Sequence, residues 1–515
     1  MAGFNVLHQP CVRIRLRPDA PSEEITELVP GGVPGGSLEV GVRTALVAAH
    51  LAADIEVGNP AVEAMVRRLL TAMVVRIFEL EIADRGLWEE QFDALLAGRR
   101  FLPGPVDGYV RDWEHRFDLY DTARPFLQDP QLAAECGDAG HPGYLVMPRP
   151  SGSGQAWFDH TPQSAPIASS EGFGWLLAWR GFGPSGMGTP RAHAGAAAVK
   201  NMYAGPLRSL LSYHPLGRSL FESLVLSCPP PPAVAEHGAD LAPWEQEELE
   251  DPLAPTAAAG PVSLLVGRTA HHVLLAPDGG GEKVVGAWVA WGSRREPPAA
   301  RDPFTVERPG RGPERANHRR ALLRDFDAFV HARDPAQGDT GGRILPPWLS
   351  VFADLPPETL DVVGEVRVRA LGCDQDRMPR ERHWFAASTP ESIAPYLPSR
   401  DPQRAARVSR VRTLAETAAA ALGAAVGAGW RGFAPGDADR NPWRAEAEAQ
   451  YWDRAEDVFW PAIAADSGPE PDFRSVALDV FDAVTAPAAA CPQGLYPIAA
   501  ARARLRNPRR TRSAA

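Results

Sequence analysis

Lysine is almost missing from this chain. Of 53 basic residues only Lys200 and Lys283 are lysines, and the rest are arginine. Codon usage accounts for such a bias, so no function is read from it, but each lysine becomes conspicuous. A basic excess is missing too, the formal net charge being −11. A chain that grips nucleic acid alone through phosphates usually carries the opposite balance, so any such contact here is local or leans on basic partners. The five cysteines (Cys11, Cys136, Cys228, Cys373, Cys491) are scattered without a CxxC pair, which excludes a zinc ribbon and points to a reducing compartment. No basic n-region or long apolar core opens the chain, and Ala45 to Ala53 is too short to span a bilayer. A soluble, cytoplasmic protein without membrane contact is expected. The HExxH pattern and the clustered carboxylates of a two-metal nuclease are absent, so neither a metal nor a cofactor is expected.

What the chain has in excess is glycine (47) and proline (52), which implies long irregular connections. Alternation over Asn5 to Leu16 predicts a strand or hairpin. Helical spacing covers Arg43–Asp54, Pro60–Glu81, Leu87–Leu96 and Val106–Tyr120. The second of these carries Val62, Met65, Val66, Leu69, Leu70, Met73, Val74 and Ile77 on helical spacing. Residues 129–156 read as a long loop, and Glu171 to Trp179 as a helix. Val262–Leu275 and Lys283–Trp291 read as strands joined across Asp278-Gly-Gly-Gly281. The acidic run Glu245–Asp251 reads as an exposed excursion, Glu314–Asp334 as a helix with a basic flank, and Val362–Leu371 as a half-exposed strand. Beyond Pro398 four helical segments follow one another (Arg404–Val426, Trp443–Ala465, Phe473–Val484, Leu495–Arg506), the pattern of a bundle with a basic tail. The expected fold is α+β, a large mixed domain over 1–395 followed by a four-helix bundle over 396–515.

Candidate chemistry concentrates in Gly152 to Thr189. Gly181-Phe-Gly-Pro-Ser-Gly186 has the GxxxxG spacing of a phosphate-binding loop. Met187 and Gly188, however, stand where that loop needs Lys to face the β/γ-phosphates and Ser or Thr to reach Mg²⁺. A nucleophile elbow fails at Met187 as well. Asp159-His160 offers half of an acid–base pair for a metal-independent hydrolase, although such residues at turns more often bond backbone. His271 and His272 adjoin on a strand and face opposite ways, so they cannot chelate one ion. Binding remains. A side-chain-poor loop at Gly183, Gly186 and Gly188, a lysine beside Gly279–Gly281 and a polar turn at Asp374-Gln375 are each plausible as plain turns. Together they suit a surface that reads a duplex: backbone near phosphate or minor groove, one positive finger, one polar wedge.

Four stretches carry a family likeness. They are Phe4-Asn-Val-Leu-His-Gln-Pro10, Ser151 to Thr161 continued by Pro166-Ile, Leu176-Leu and Gly181-Phe-Gly, Val262 to Leu275, and Ala445 to Trp460. In order and spacing they resemble the large subunit (CasA family) of the type I-E CRISPR Cascade surveillance complex. Cys11 and Gly267 stand where that family usually has tryptophan. The resemblance implies a non-catalytic subunit that recognises the PAM in double-stranded target DNA, starts strand separation and helps recruit the helicase–nuclease. Its implied partners are crRNA and the backbone and small subunits of the complex. It further implies that Gly183, Gly186 and Gly188 meet the PAM duplex, that Lys283 is a lysine finger, and that Asp374 or Gln375 is the wedge. Trp157 and Phe158 would contact crRNA. A scaffold without DNA contact, or the Asp159/His160 hydrolase, are the alternatives.

Overall fold

The computed structural model describes residues 3–82, 84–147, 162, 164–231, 239–255, 257–294, 301–317, 319, 321–332, 342–375, 381–437, 440–465 and 468–506. The chain divides into two compact units, one of residues 1–318 and 343–388, the other of residues 319–342 and 389–515. The second unit thus takes in a segment, 319–342, that lies well inside the expected 1–395 domain.

In the first unit β1 (Val12–Leu16) sits between β2 (Ser37–Val40) and β3 (Ala52–Ile55) in an antiparallel sheet. The segment expected as one helix over 43–54 is a short helix, Val42–Val47, followed by β3. Helix α1 (Pro60–Ile77) is buried along nearly all its length. The Asn59 side chain accepts from Ala61 N and Val62 N, and Pro60 occupies the first turn, where no intrahelical donor is needed. Then come β4 (Ile167–Ala168), helix α2 (Ser169–Phe182), β5 (Gly186–Arg191), β6 (Val199–Met202), β7 (Leu211–Leu216), β8 (His271–Pro277) and β9 (Lys283–Trp291). A short pair, β10 (Glu307–Arg308) and β11 (Gly312–Pro313), precedes the hairpin β12 (Arg367–Gln375) and β13 (Glu381–Ser388).

Three further pairings position the candidate site. β9 lies between β4 and β8, β12 between β13 and β7, and β5 pairs with β6. The β8–β9 turn follows the sequence signal: the Asp278 carboxylate accepts from the backbone of Gly280 and Glu282, and Gly281 has φ +74°. The strand expected from Val262 begins only at His271, because Ser263–Gly267 forms one helical turn. Arg369 of β12 donates to Glu63 of α1 at 2.7 and 3.0 Å, and Arg68 of α1 forms a bidentate pair with Asp302 at 2.5 and 2.9 Å.

In the second unit, helix α3 (Leu323–Val330) packs on a bundle of α4 (Pro402–Phe433), α5 (Pro442–Ala464), α6 (Phe473–Ala489) and α7 (Pro492–Arg506). The expected bundle helices are therefore present, the first seven residues longer at its C-terminal end. Asp401-Pro402 and Asn441-Pro442 each supply a side-chain cap followed by a first-turn proline. Arg324 of α3 pairs with Glu416 of α4 at 2.8 Å and lies 4.5 Å from the Trp452 ring centre. Among the described residues of the expected helix over 314–334, the α-helix runs from Leu323 to Val330.

Candidate nucleic-acid interface

Helix α2 ends where its backbone becomes crowded. A Cβ placed on Gly183 would stand 2.5 Å from His271 Cε1 and 2.8 Å from Trp179 Cε3. His271 is fully enclosed, packs edge-on against Trp179, and donates from Nε2 to the Pro184 carbonyl at 2.9 Å. Burial, only partly offset by that hydrogen bond, pushes its pKa down to about 4. Gly183 is thus demanded first by close internal packing.

The segment read as a glycine loop is the first strand of a hairpin. Gly186 has φ +139° and pairs with Met202, and Met187 pairs with Asn201. A Cβ on Gly188 would lie 2.7 Å from the Val289 carbonyl of β9. Outward from this hairpin stand Met187 (76% exposed), Tyr203 (45% exposed), Lys200 and Asn201. The sequence marks Lys200 only as one of two lysines; its neighbours across the hairpin follow from the β5–β6 pairing, which no turn signal announces.

The hairpin is locked at its far end. Arg191, wholly buried, donates to Asp129 at 2.8 Å and to Glu135 at 2.6 Å, and lies 4.9 Å from the Trp291 ring centre. His272 Nδ1 is 2.7 Å from the same Asp129 oxygen, while His193 Nδ1 is 2.7 Å from Glu135. Burial would raise the Asp129 carboxyl, but the His272 hydrogen bond and the two neighbouring cationic groups hold it at about 2. His271 and His272 do face opposite sides of β8, one toward Pro184 and one toward Asp129. Among the described residues no group of three or more His, Cys, Asp or Glu is arranged to hold a metal.

The glycine segment and the β12–β13 hairpin are brought together by residues 205–212. Gly205 N donates to the Gly183 carbonyl and Leu207 N to that of Gly181, both at 2.8 Å. Arg208 donates to the Phe182 carbonyl at 3.0 Å. The next residue, Ser209 (φ +64°), donates through its hydroxyl to the Gln375 carbonyl, and Ser212 donates to the Leu371 carbonyl at 3.2 Å. A register shift separates Asp374 from Gln375. The Gln375 side chain is turned inward at 4% exposure, whereas Asp374 is half-buried. Of the two wedge candidates, only Asp374 therefore has substantial access to solvent. The base of the β10–β11 hairpin lies against the same stretch, with Leu210 bridging Arg315 and Ser212 bridging Thr305. Its tip, Arg308-Pro309-Gly310-Arg311, turns on Gly310 (φ +72°) and presents Arg311 to solvent.

Lys283 is placed elsewhere. It pairs with Ala168, immediately before α2, whereas Gly183 follows the last residue of that helix. Fourteen residues of helix put the two ends about 21 Å apart. The six steps along β9 from Lys283 to Val289, the residue beside Gly188, give about 20 Å. An exposed lysine at that distance does not share one contact with the glycine segment. Trp157, Phe158, Asp159 and His160 lie outside the described residues.

Known proteins share this fold. A family model described as CRISPR-associated protein Cse1 matches residues 32–478. The CasA/Cse1 protein of Thermus thermophilus is 29% identical over 358 residues, 67% of this chain and 65% of that relative, so the match spans slightly less than two thirds of the relative's length. A chain in a solved CRISPR RNA-guided surveillance complex is 33% identical, with a TM-score of 0.82 over 98% of this chain and 100% of that one. Thermobifida fusca Cse1, 17% identical, shares the fold with a TM-score of 0.71, covering 98% of this chain and 97% of that one. No helix among the described residues is long and apolar enough to cross a membrane. The chain belongs to the Cse1 (CasA) family of CRISPR-associated large subunits.

Proposed function

We propose that this chain is a non-catalytic large subunit of an RNA-guided surveillance complex that reads the PAM of duplex DNA, starts strand separation and helps recruit a helicase–nuclease. The observation that carries the reading is the end-to-end likeness, at 33% identity, to a chain of such a complex. The geometry supports it. A hairpin with little side-chain bulk at Gly186 and Gly188 adjoins, through residues 205–212, the β12–β13 hairpin, whose first strand ends at Asp374 and Gln375. Backbone and small residues can approach a groove closely, and a protein reading the minor groove distinguishes A·T from G·C without a full code. Inserted side chains offset an unstacking cost of about a few kcal/mol per step.

In this reading Gly183 shapes the bend from within, Gly186 and Gly188 face the duplex, and Asp374 rather than Gln375 presents the wedge. Lys200 and Arg311 supply the phosphate contacts, and Lys283 lies outside the PAM contact. Trp157 and Phe158 contact crRNA. Backbone and small subunits, and the helicase–nuclease, are the protein partners, in the cytoplasm. Co-expression with the other subunits and a crRNA tests the assembly. The chain should co-elute with the RNA-bearing particle, and base pairs beside the PAM should open, as read by 2-aminopurine fluorescence. Separate elution of a folded chain, or opening unchanged without it, would contradict the proposal.

A further inference from the structure

The buried arginines of the first unit are not equivalent. Arg67, Arg68 and Arg191 each meet a carboxylate within 2.8 Å. Arg180, on the last turn of α2 and 8% exposed, meets only carbonyls: Leu127 at 3.3 Å and Val266 at 2.9 Å. Its Nε is buried without a partner, and the charge of Glu250 offsets its burial only in part. An enclosed charge left this way is strongly unfavourable unless a counter-charge arrives.

Arg180 lines a cavity of about 610 Å³ that also receives Arg116, Arg124 and Arg268. Arg124 donates to the Gln246 carbonyl at 2.7 Å and to that of Glu247. Burial lowers the proton affinity of Arg124, Arg180 and Arg268, with the Arg116 charge adding to the effect on Arg124. Opposing them in the wall are Glu248 and Glu250, because Asp129, which also lines the cavity, is already engaged by Arg191 and His272. Four guanidinium groups face two further carboxylates, so the cavity carries a positive excess. Its other walls, at Leu241, Pro243 and Ala258, are apolar. Of the acidic run at 245–251, read from sequence as a surface excursion, Gln246, Glu248, Leu249 and Glu250 line the cavity, while Glu245 is buried against Arg76.

We propose that this cavity binds a phosphate-bearing ligand of nucleotide size, with Arg180 at its floor and Arg124 and Arg268 in its wall. Guanidinium groups match phosphate oxygens in charge and fork geometry, and the volume falls within the range of about 300–1,000 Å³ typical of small-ligand sites. The ligand is a free nucleotide or one unstacked nucleotide of a bound strand, which share this chemistry. The proposal does not depend on PAM reading.

The test uses the purified full chain, with thermal unfolding followed against adenosine monophosphate, inorganic phosphate and a six-nucleotide single-stranded RNA. At least one phosphate ester should raise the midpoint saturably. A response to adenosine monophosphate assigns a free nucleotide, and a response to the RNA alone assigns a strand. Arg124→Ala and Arg268→Ala should each weaken that ligand about tenfold, equivalent to about 1.4 kcal/mol. Arg180→Met should abolish the response while leaving the ligand-free midpoint unchanged or higher, since a purely structural arginine would give a lower one. No saturable shift with any probe, or a full shift in both wall variants, would overturn the site, whatever becomes of Arg180→Met.

Discussion

A methyl group at Gly183 would fall on the His271 ring and the Trp179 indole, both enclosed and unable to withdraw. Gly183→Ala should therefore cost about 1–3 kcal/mol of stability, seen as a lower urea midpoint with an unchanged slope. His271 gives the same region a pH dependence. Its folded pKa is about 4 against an ordinary 6.5, so above about pH 6.5 neither state is protonated there. As the pH falls from about 6.5 toward 4, only the unfolded chain takes the proton, and stability should drop by up to about 3 kcal/mol. Buried His214, whose pKa is also lowered by burial, pushes the same way. Urea unfolding at successive pH values checks this, and His271→Phe should flatten part of the slope. Arg191→Ala leaves Asp129 and Glu135 without their central cation and should cost about 3–5 kcal/mol, with refolding titrations as the measure.

Between elements, the useful contrast is between three cations. Lys200 sits beside the glycine segment, Arg311 at the tip of a hairpin based on Leu210–Ser212, and Lys283 at the opposite end of α2 and β9. In the assembled complex, Lys200→Ala and Arg311→Ala should each weaken duplex binding about equally for all sequences and lower the salt slope by about one. Lys283→Ala should change neither, and a titration of affinity against salt decides it. This contrast also marks where the sequence stops being legible. Helices such as α1, α4 and α5 announce themselves through period and Asx-Pro starts, and Asp278–Gly281 announces its turn. The β5–β6 pairing does not, because Gly186 to Pro190 has no alternation and the turn at Ala194-Gly195 is flanked by an alanine run without strand pattern. Arg191 is equally silent, since its carboxylates lie 56 and 62 residues away. The four family stretches identify the protein, but a lysine is assigned to a groove only by knowing which end of a strand it occupies.

For the whole molecule, a net charge of −11 opposes binding to arbitrary DNA. The isolated chain should not retain duplex DNA at about 0.15 M salt, where fields beyond about 8 Å are screened. Only within an RNA-bearing assembly would its local cations and small-residue hairpin meet a held duplex, which suits a scanner that must release most of what it touches. The most direct test is the ratio of affinities for two duplexes differing only in the PAM, measured for the complex assembled with and without this chain. The proposed function predicts a ratio of at least about tenfold (about 1.4 kcal/mol) that collapses to near unity when the chain is omitted. An equal ratio in both preparations would contradict it.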